Sequence, residues 1–181
     1  VTDPNYPFYT NYTEAKGAVY LYSPNGVLIS RLVGDRLTNS VGSGGITVLA
    51  NGNFVVNSPF WDSATTQGVG AVTWCSQVTG CNGTVSASNS LVGSSSSDLV
   101  GYGGVTALSN GNYVVSSPQW WNGDIYSAGA VTWGNGATGT KGVVSASNSL
   151  VGGSAYDYWD SEIMPLKNGN YLILNPSWDN G

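Results

Sequence analysis

Apolar residues in this chain come in short runs with turn-forming residues between them. Ala18-Val19-Tyr20-Leu21-Tyr22 is followed by Val27-Leu28-Ile29-Ser30-Arg31-Leu32-Val33, then by Ile46-Thr47-Val48-Leu49 and Phe54-Val55-Val56. The runs are rich in β-branched and aromatic residues, and Pro24-Asn25-Gly26, a Gly-rich bend and Asn51-Gly52 separate them. Short runs of this composition between turn signals predict strands. No stretch between breakers has helical periodicity, so the expected class is all-β.

The pattern then repeats. Leu32-Val33-Gly34 returns as Leu91-Val92-Gly93 and Leu150-Val151-Gly152, at spacings of 59 and 59 residues. Asn-Gly-Asn begins at Asn51, Asn110 and Asn168, and Gly-Ala-Val begins at Gly17, Gly70 and Gly129. Ser58-Pro59-Phe60-Trp61 recurs as Ser117-Pro118-Gln119-Trp120 and Asn175-Pro176-Ser177-Trp178. Blocks that keep their order define a Tyr/Pro-rich lead over 1–16 and repeats over 17–69, 70–128 and 129–181. A fixed period of this size is the mark of repeat architectures. Each repeat reads as four strands, which predicts β-propeller-like blades of four-stranded antiparallel sheet. Three such units are fewer than the usual four-blade minimum, so the expectation is a partial propeller or an open, assembled array. Further repeats or identical chains are the expected partners, since an uncovered terminal sheet face favours association.

Asn51-Gly52, Asn110-Gly111 and Asn168-Gly169 stand between β-type runs, which predicts two-residue hairpin turns with both residues at positive φ. Pro59, Pro118 and Pro176 close the strands that follow by removing a donor.

Composition narrows the chemistry. The 181 residues include 26 Gly, and counting adds 24 Ser and 18 Asn, yet 41% of the chain is apolar, with 7 Trp and 11 Tyr. That apolar content separates it from a disordered linker. There is no histidine, which removes the commonest general base and zinc ligand. Five basic residues against ten acidic ones cannot form a nucleic-acid footprint. No apolar run approaches a membrane span. A start at Val1 without Met is read as a processed form or an excerpt.

The order Gly-Ala-Val-Tyr-Leu-Tyr, Leu-Val-Gly, Asp98-Leu99-Val100-Gly101, Asn-Gly-Asn, Ser-Pro resembles the FG-GAP repeat, which builds the β-propeller of integrin α-subunits. The stretch 105–118 with Gly129-Ala130-Val131-Thr132-Trp133, and Val-Ser-Ala-Ser-Asn-Ser-Leu-Val-Gly at 85–93 and 144–152, resembles a repeat of unknown function common in filamentous-haemagglutinin-type adhesins of Gram-negative bacteria. The resemblance implies a bacterial cell-surface location. FG-GAP blades often carry a calcium loop where this chain has Asn51-Gly52, Asn110-Gly111 and Asn168-Gly169 without a carboxylate. Calcium needs six to eight oxygens, several of them from carboxylates, so that metal site is not carried over.

Individual residues were weighed against their plainer roles. Cys75 and Cys81 are expected to form a disulfide, which places the chain in an oxidising compartment; two free thiols are the competing state. Asp98 and Asp157 recur at one repeat position, as do Asp62 and Asp179, which suits bend-capping better than paired-acid hydrolysis. Asp157, Asp160 and Glu162 form the one acidic cluster. Trp74 and Trp133 are expected in the core between blades. Trp61, Trp120 and Trp178 follow Pro at strand ends and could cover a neighbour or present a binding surface; Trp121, Tyr126, Tyr156, Tyr158 and Trp159 add aromatic loops. Asn11-Tyr12-Thr13 and Asn82-Gly83-Thr84 match the glycosylation sequon, a frequent chance match in such a composition.

No nucleophile–base pair stands out, so no catalytic residue, cofactor or metal is expected. The sequence therefore points to a structural or adhesive module, with a glycan-binding propeller as the alternative. The lead, with Tyr6, Phe8, Tyr9 and Tyr12, could cover an edge or insert into a neighbour.

Overall fold

A computed structural model of the protein describes residues 16–178. The lead through residue 15, with its aromatic residues and the Asn11 sequon, and Asp179 lie outside the described residues.

The described residues form fourteen strands and no helix. In chain order they are β1 (Ala18–Tyr22), β2 (Leu28–Val33), β3 (Ile46–Val48), β4 (Phe54–Ser58), β5 (Ala71–Cys75), β6 (Gly83–Thr84) and β7 (Ser90–Val92). There follow β8 (Gly104–Ala107), β9 (Tyr113–Ser117), β10 (Ala130–Gly134), β11 (Gly142–Val143), β12 (Ser149–Val151), β13 (Glu162–Pro165) and β14 (Tyr171–Leu174). They make four open sheets: β1-β2-β6, then β11-β7-β5-β4-β3, then β12-β10-β9-β8, then the hairpin β13-β14. The result is an all-β, propeller-like open array.

The second and third sheets each join the hairpin of one sequence repeat to the strand pair of the next. The second sheet joins the hairpin β3-β4 to β5 and β7 of the following repeat, with Phe54 opposite Cys75 and Ser58 opposite Ala71. The third does the same with Tyr113 opposite Gly134 and Ser117 opposite Ala130. The four strands of one sequence unit thus lie in two successive sheets. Linkage between sheets is reinforced by β6 and β11, two-residue strands that leave their own sheet and pair in parallel with β2 and β7 of the preceding one. They are too short to carry a hydrophobic alternation, so the sequence pattern missed them.

The hairpin turns differ from the expected form. Glycine alone is left-handed, with φ of 86° at Gly52, 85° at Gly111 and 88° at Gly169, while the preceding asparagines are not among the positive-φ residues. The Gly52 amide donates to Leu49 O and the Leu49 amide to Asn53 O, enclosing three residues. This is a type I turn closed by a left-handed glycine, the usual three-residue hairpin. Asparagine serves it by accepting the Asn53 amide through its own Oδ1 at 3.1 Å, a geometry that needs no positive φ.

Packing follows the alternation of each strand. Phe54, Val56, Ala71, Cys75 and Val92 face the first sheet, where they meet Leu32, Val19 and Leu21. Val55, Val72 and Leu91 face the third sheet and meet Tyr113, Val115 and Ala130. Val114 and Val131 face the last hairpin and its Ile163, Tyr171 and Ile173. Strands β4 and β9 are therefore buried on both faces, as near-continuous apolar strands are. A fully buried Val or Leu contributes about 1.5–3 kcal/mol, so the sheet-to-sheet clusters dominate stability. Close approach within a repeat selects glycine at Gly70 (φ 74°), which bridges in parallel to Val100; a Cβ there would strike the Val100 backbone.

Burial fades at both ends of the array. β1 and β14 alternate half-buried with exposed positions, and Leu172 is 53% exposed where its equivalents Val55 and Val114 are 0% exposed.

Candidate functional site

The carboxylates act in bends. Asp98, fully buried, accepts the Ser94 and Ser95 amides through Oδ2 at 2.8 and 2.7 Å, and the Trp121 amide through Oδ1 at 3.0 Å. Burial pushes its carboxyl above the ordinary value, and the three amides oppose that shift. Asp157 repeats the cap with the Gly153 and Ser154 amides, and its Oδ1 has no partner among the described residues. Asn39 takes the same place in the first repeat, accepting the Arg36 amide at 2.7 Å. Asp62 accepts the Gly68 amide and the Thr38 hydroxyl, both at 2.6 Å. Asp160 and Glu162 are exposed, and no His/Cys/Asp/Glu group suited to a metal occurs among the described residues.

Cys75 and Cys81 form a disulfide that closes the connection after β5. Closing so short a loop stabilises by about 2 kcal/mol in the chain-entropy account.

The Asn-Gly turns form a polar seam between sheets. Gly136 O accepts Asn51 Nδ2 at 2.8 Å, Asn53 Nδ2 at 2.9 Å and Trp74 Nε1 at 3.0 Å. The Gly136 amide in turn donates to Asn112 Oδ1 at 3.0 Å. A Cβ on Gly136 would run into the Gly111 carbonyl, so only glycine fits this junction. Asn110 Nδ2 reaches Gly169 O at 3.3 Å, and Ser109 Oγ reaches Leu166 O and Lys167 O. Beside these turns runs a shallow groove of about 480 Å³, lined by Val48, Leu49, Leu108 and Leu166 with Lys167 at its end. No carboxylate lines it.

The tryptophans divide. Trp61 and Trp120, 6% and 5% exposed, belong to the first and second sheet-to-sheet clusters; both cover a neighbouring sheet. Trp74 is part of the second cluster, as expected of a core residue. Trp133 departs from that expectation at 43% exposed, because no complete sheet lies beyond it. Trp178 is exposed and packs edge-on to Tyr158. Tyr158 itself is buried; burial, then the charge of Asp157, raises its phenol above the ordinary value.

Trp121 heads the one extended aromatic surface among the described residues. Its ring lies 6.1 Å from Tyr126, Tyr126 lies 5.3 Å from Tyr156, and Tyr156 lies 5.6 Å from Trp159. All four are exposed. Hydrogen bonding to Tyr126, then its charge, raises the Tyr156 phenol. The row is held by the Tyr156 amide donating to Ser127 O at 2.8 Å, with Tyr156 at φ 68° and Ser127 at φ 48°. Thr38 and Ser97, the equivalents of Tyr156, are left-handed too, as is Gly68, the equivalent of Ser127. The strain therefore belongs to the repeat, not to the aromatic row. The alignment of these aromatics is not written in local sequence, since their loops lie in different repeats.

A family model described as a repeat of unknown function (DUF5650) matches residues 48–102, 107–161 and 165–181. The three matches begin at Val48, Ala107 and Pro165, the last residues of β3, β8 and β13, in phase with one another and with the sheets. No curated protein matches the chain. With three matches that together cover more than half its length, the chain belongs to this family of repeats of unknown function.

Proposed function

We propose that the chain is a structural or adhesive repeat module of a bacterial extracellular surface protein or fibre, acting through packing between sheets and between molecules, without catalysis. The observation that carries this reading is where the polar chemistry goes. The buried carboxylates cap bends, and the Asn-Gly turns and Gly136 bond one sheet to the next. Repeats joined by nearest-neighbour interfaces extend without new chemistry. The disulfide fits an oxidising, extracytoplasmic setting. Resemblance to FG-GAP repeats and to filamentous-haemagglutinin-type adhesins points the same way. Among the described residues no helix is long and apolar enough to cross a membrane. Immunogold labelling of intact source cells tests the reading: label on surface projections supports it, and label seen only after permeabilisation overturns it.

The aromatic row favours a second reading, a carbohydrate- or ligand-binding propeller. Exposed Trp and Tyr rings offer flat apolar faces with polar rims, the kind of surface on which sugars stack. Titrating intrinsic tryptophan fluorescence with a panel of glycans tests it. Saturable quenching that is lost in Trp121→Ala supports glycan binding, and no response across the panel rejects it.

A further inference from the structure

We infer that copies of this chain join head to tail, β14 of one copy taking β1 of a second as its antiparallel neighbour and so completing a five-stranded sheet, β13-β14-β1-β2-β6, ordered like the second. The inference rests on the packing reading above and gives that packing a partner and a register.

The two end sheets are halves of one pattern. The first sheet has the strand pair β1-β2, equivalent to β5-β7 and β10-β12, without a hairpin on the other edge of β1 among the described residues. The last sheet has the hairpin β13-β14, equivalent to β3-β4 and β8-β9, without a strand pair beside β14 among the described residues. In the second and third sheets these halves are joined, and Val55 opposite Trp74 and Val114 opposite Trp133 mark the seam. The same register sets Tyr171 opposite Tyr22, Leu172 opposite Leu21, Ile173 opposite Tyr20 and Leu174 opposite Val19. Edges that no described strand pairs are templates for strand addition.

The faces left open match as well. Over the third sheet lies a cavity of about 280 Å³ lined by Trp133, Leu150 and Tyr171. The corresponding place on the second sheet, over Trp74, Leu91 and Tyr113, is filled by the neighbouring sheet and by the connection after β10. Leu91 is 1% exposed there, against 52% for Leu150. On the first sheet, Val19 and Leu21 pack inward, so alternation turns Tyr20 and Tyr22 to the outer face, where both are half-exposed and their rings stack 6.3 Å apart. The interior joins carry Thr73 and Cys75, or Thr132 and Gly134, at those two positions. The first repeat connects β1 to β2 through the short turn at Ser23–Val27 and so lacks the loop that covers Trp74. Two tyrosines in place of small residues supply volume for the space that the loop fills elsewhere. Because the two surfaces differ, the contact is heterologous and propagates as a ring or a filament.

The test mixes two full-length variants, Leu172→Cys and Leu21→Cys, each purified with its native disulfide intact and oxidised together. The expected result is a reducible dimer-sized species in the mixture and none with either variant alone. No cross-link in the mixture, or an equal one with Leu172→Cys alone, overturns the head-to-tail pairing. Leu174→Lys, at an exposed position, checks it without a new thiol: a tenfold or greater weakening of self-association at unchanged monomer melting temperature is expected, and unchanged self-association overturns it. Surface labelling without cross-linking would remove the second copy as partner and keep the packing reading; cross-linking without surface labelling would do the reverse.

Discussion

Position 55 of the second sheet recurs as Val114 and Leu172, and the three sites separate burial from sequence. Val55 and Val114 are 0% exposed between two sheets, whereas Leu172 is 53% exposed beyond the last one. Val→Ala removes two carbons, about 0.8 kcal/mol each by transfer, and leaves a cavity in a packed layer. Val55→Ala and Val114→Ala should each cost about 2–3 kcal/mol. Leu172→Ala deletes a larger side chain, yet in dilute solution it should cost under about 0.5 kcal/mol, as surface changes do. The assay is urea unfolding followed by tryptophan fluorescence at low protein concentration, comparing midpoints at a common slope. Equal losses at all three sites would refute the reasoning, because they would mean Leu172 is covered within a single chain. Negligible losses at Val55 and Val114 would refute it from the other side.

Reducing the Cys75–Cys81 disulfide should lower stability by about 2 kcal/mol, read as a lower urea midpoint in reductant, while the far-ultraviolet spectrum keeps its β character. Gly136→Ala should destabilise by more than about 1 kcal/mol, because its Cβ meets the Gly111 carbonyl and the seam to Asn51, Asn53 and Trp74 is broken; Gly153→Ala, with open space around it, is the control in melting experiments. Asp98 has a raised folded-state pKa, so the folded protein binds its proton more readily than the unfolded chain does. Its contribution is fully present below the unfolded value near 3.8 and is lost as pH rises through the higher folded value. Asp98→Asn, which installs the residue found at Asn39, should remove that fall from a melting series run from pH 3.5 to 7.

Strand positions and the repeat were legible because both are written in local residue order. Ala-Val-Thr-Trp at 71–74 and 130–133 falls within β5 and β10, and the Asn-Gly triplets mark each hairpin. The seam between sheets was not legible. Asn51 bonds to Gly136, 85 residues away, and nothing in either local sequence signals the pairing. β6 and β11 were hidden because two residues carry no alternation. The fate of the tryptophans turned on neighbours and not on motifs: Trp74 and Trp133 share Ala-Val-Thr-Trp, but only Trp74 has a full sheet in front of it. Likewise Trp120 is buried while adjacent Trp121 is exposed; both lie beyond the end of β9, where no strand alternation signals which side chain turns inward.

The aromatic row and the array ends are separate surfaces with separate readouts. Trp121, Tyr126, Tyr156 and Trp159 lie in the bends and loops of the second and third repeats, outside every strand. The edges proposed to pair are β1 and β14. A ligand on the row therefore need not compete with association of the ends.

Sedimentation of the intact chain over a wide concentration range tests most directly whether this array works by packing. Head-to-tail packing predicts mass that rises with concentration above the 18.7 kDa of one chain, in whole-number multiples. A single 18.7 kDa species throughout the range would contradict it.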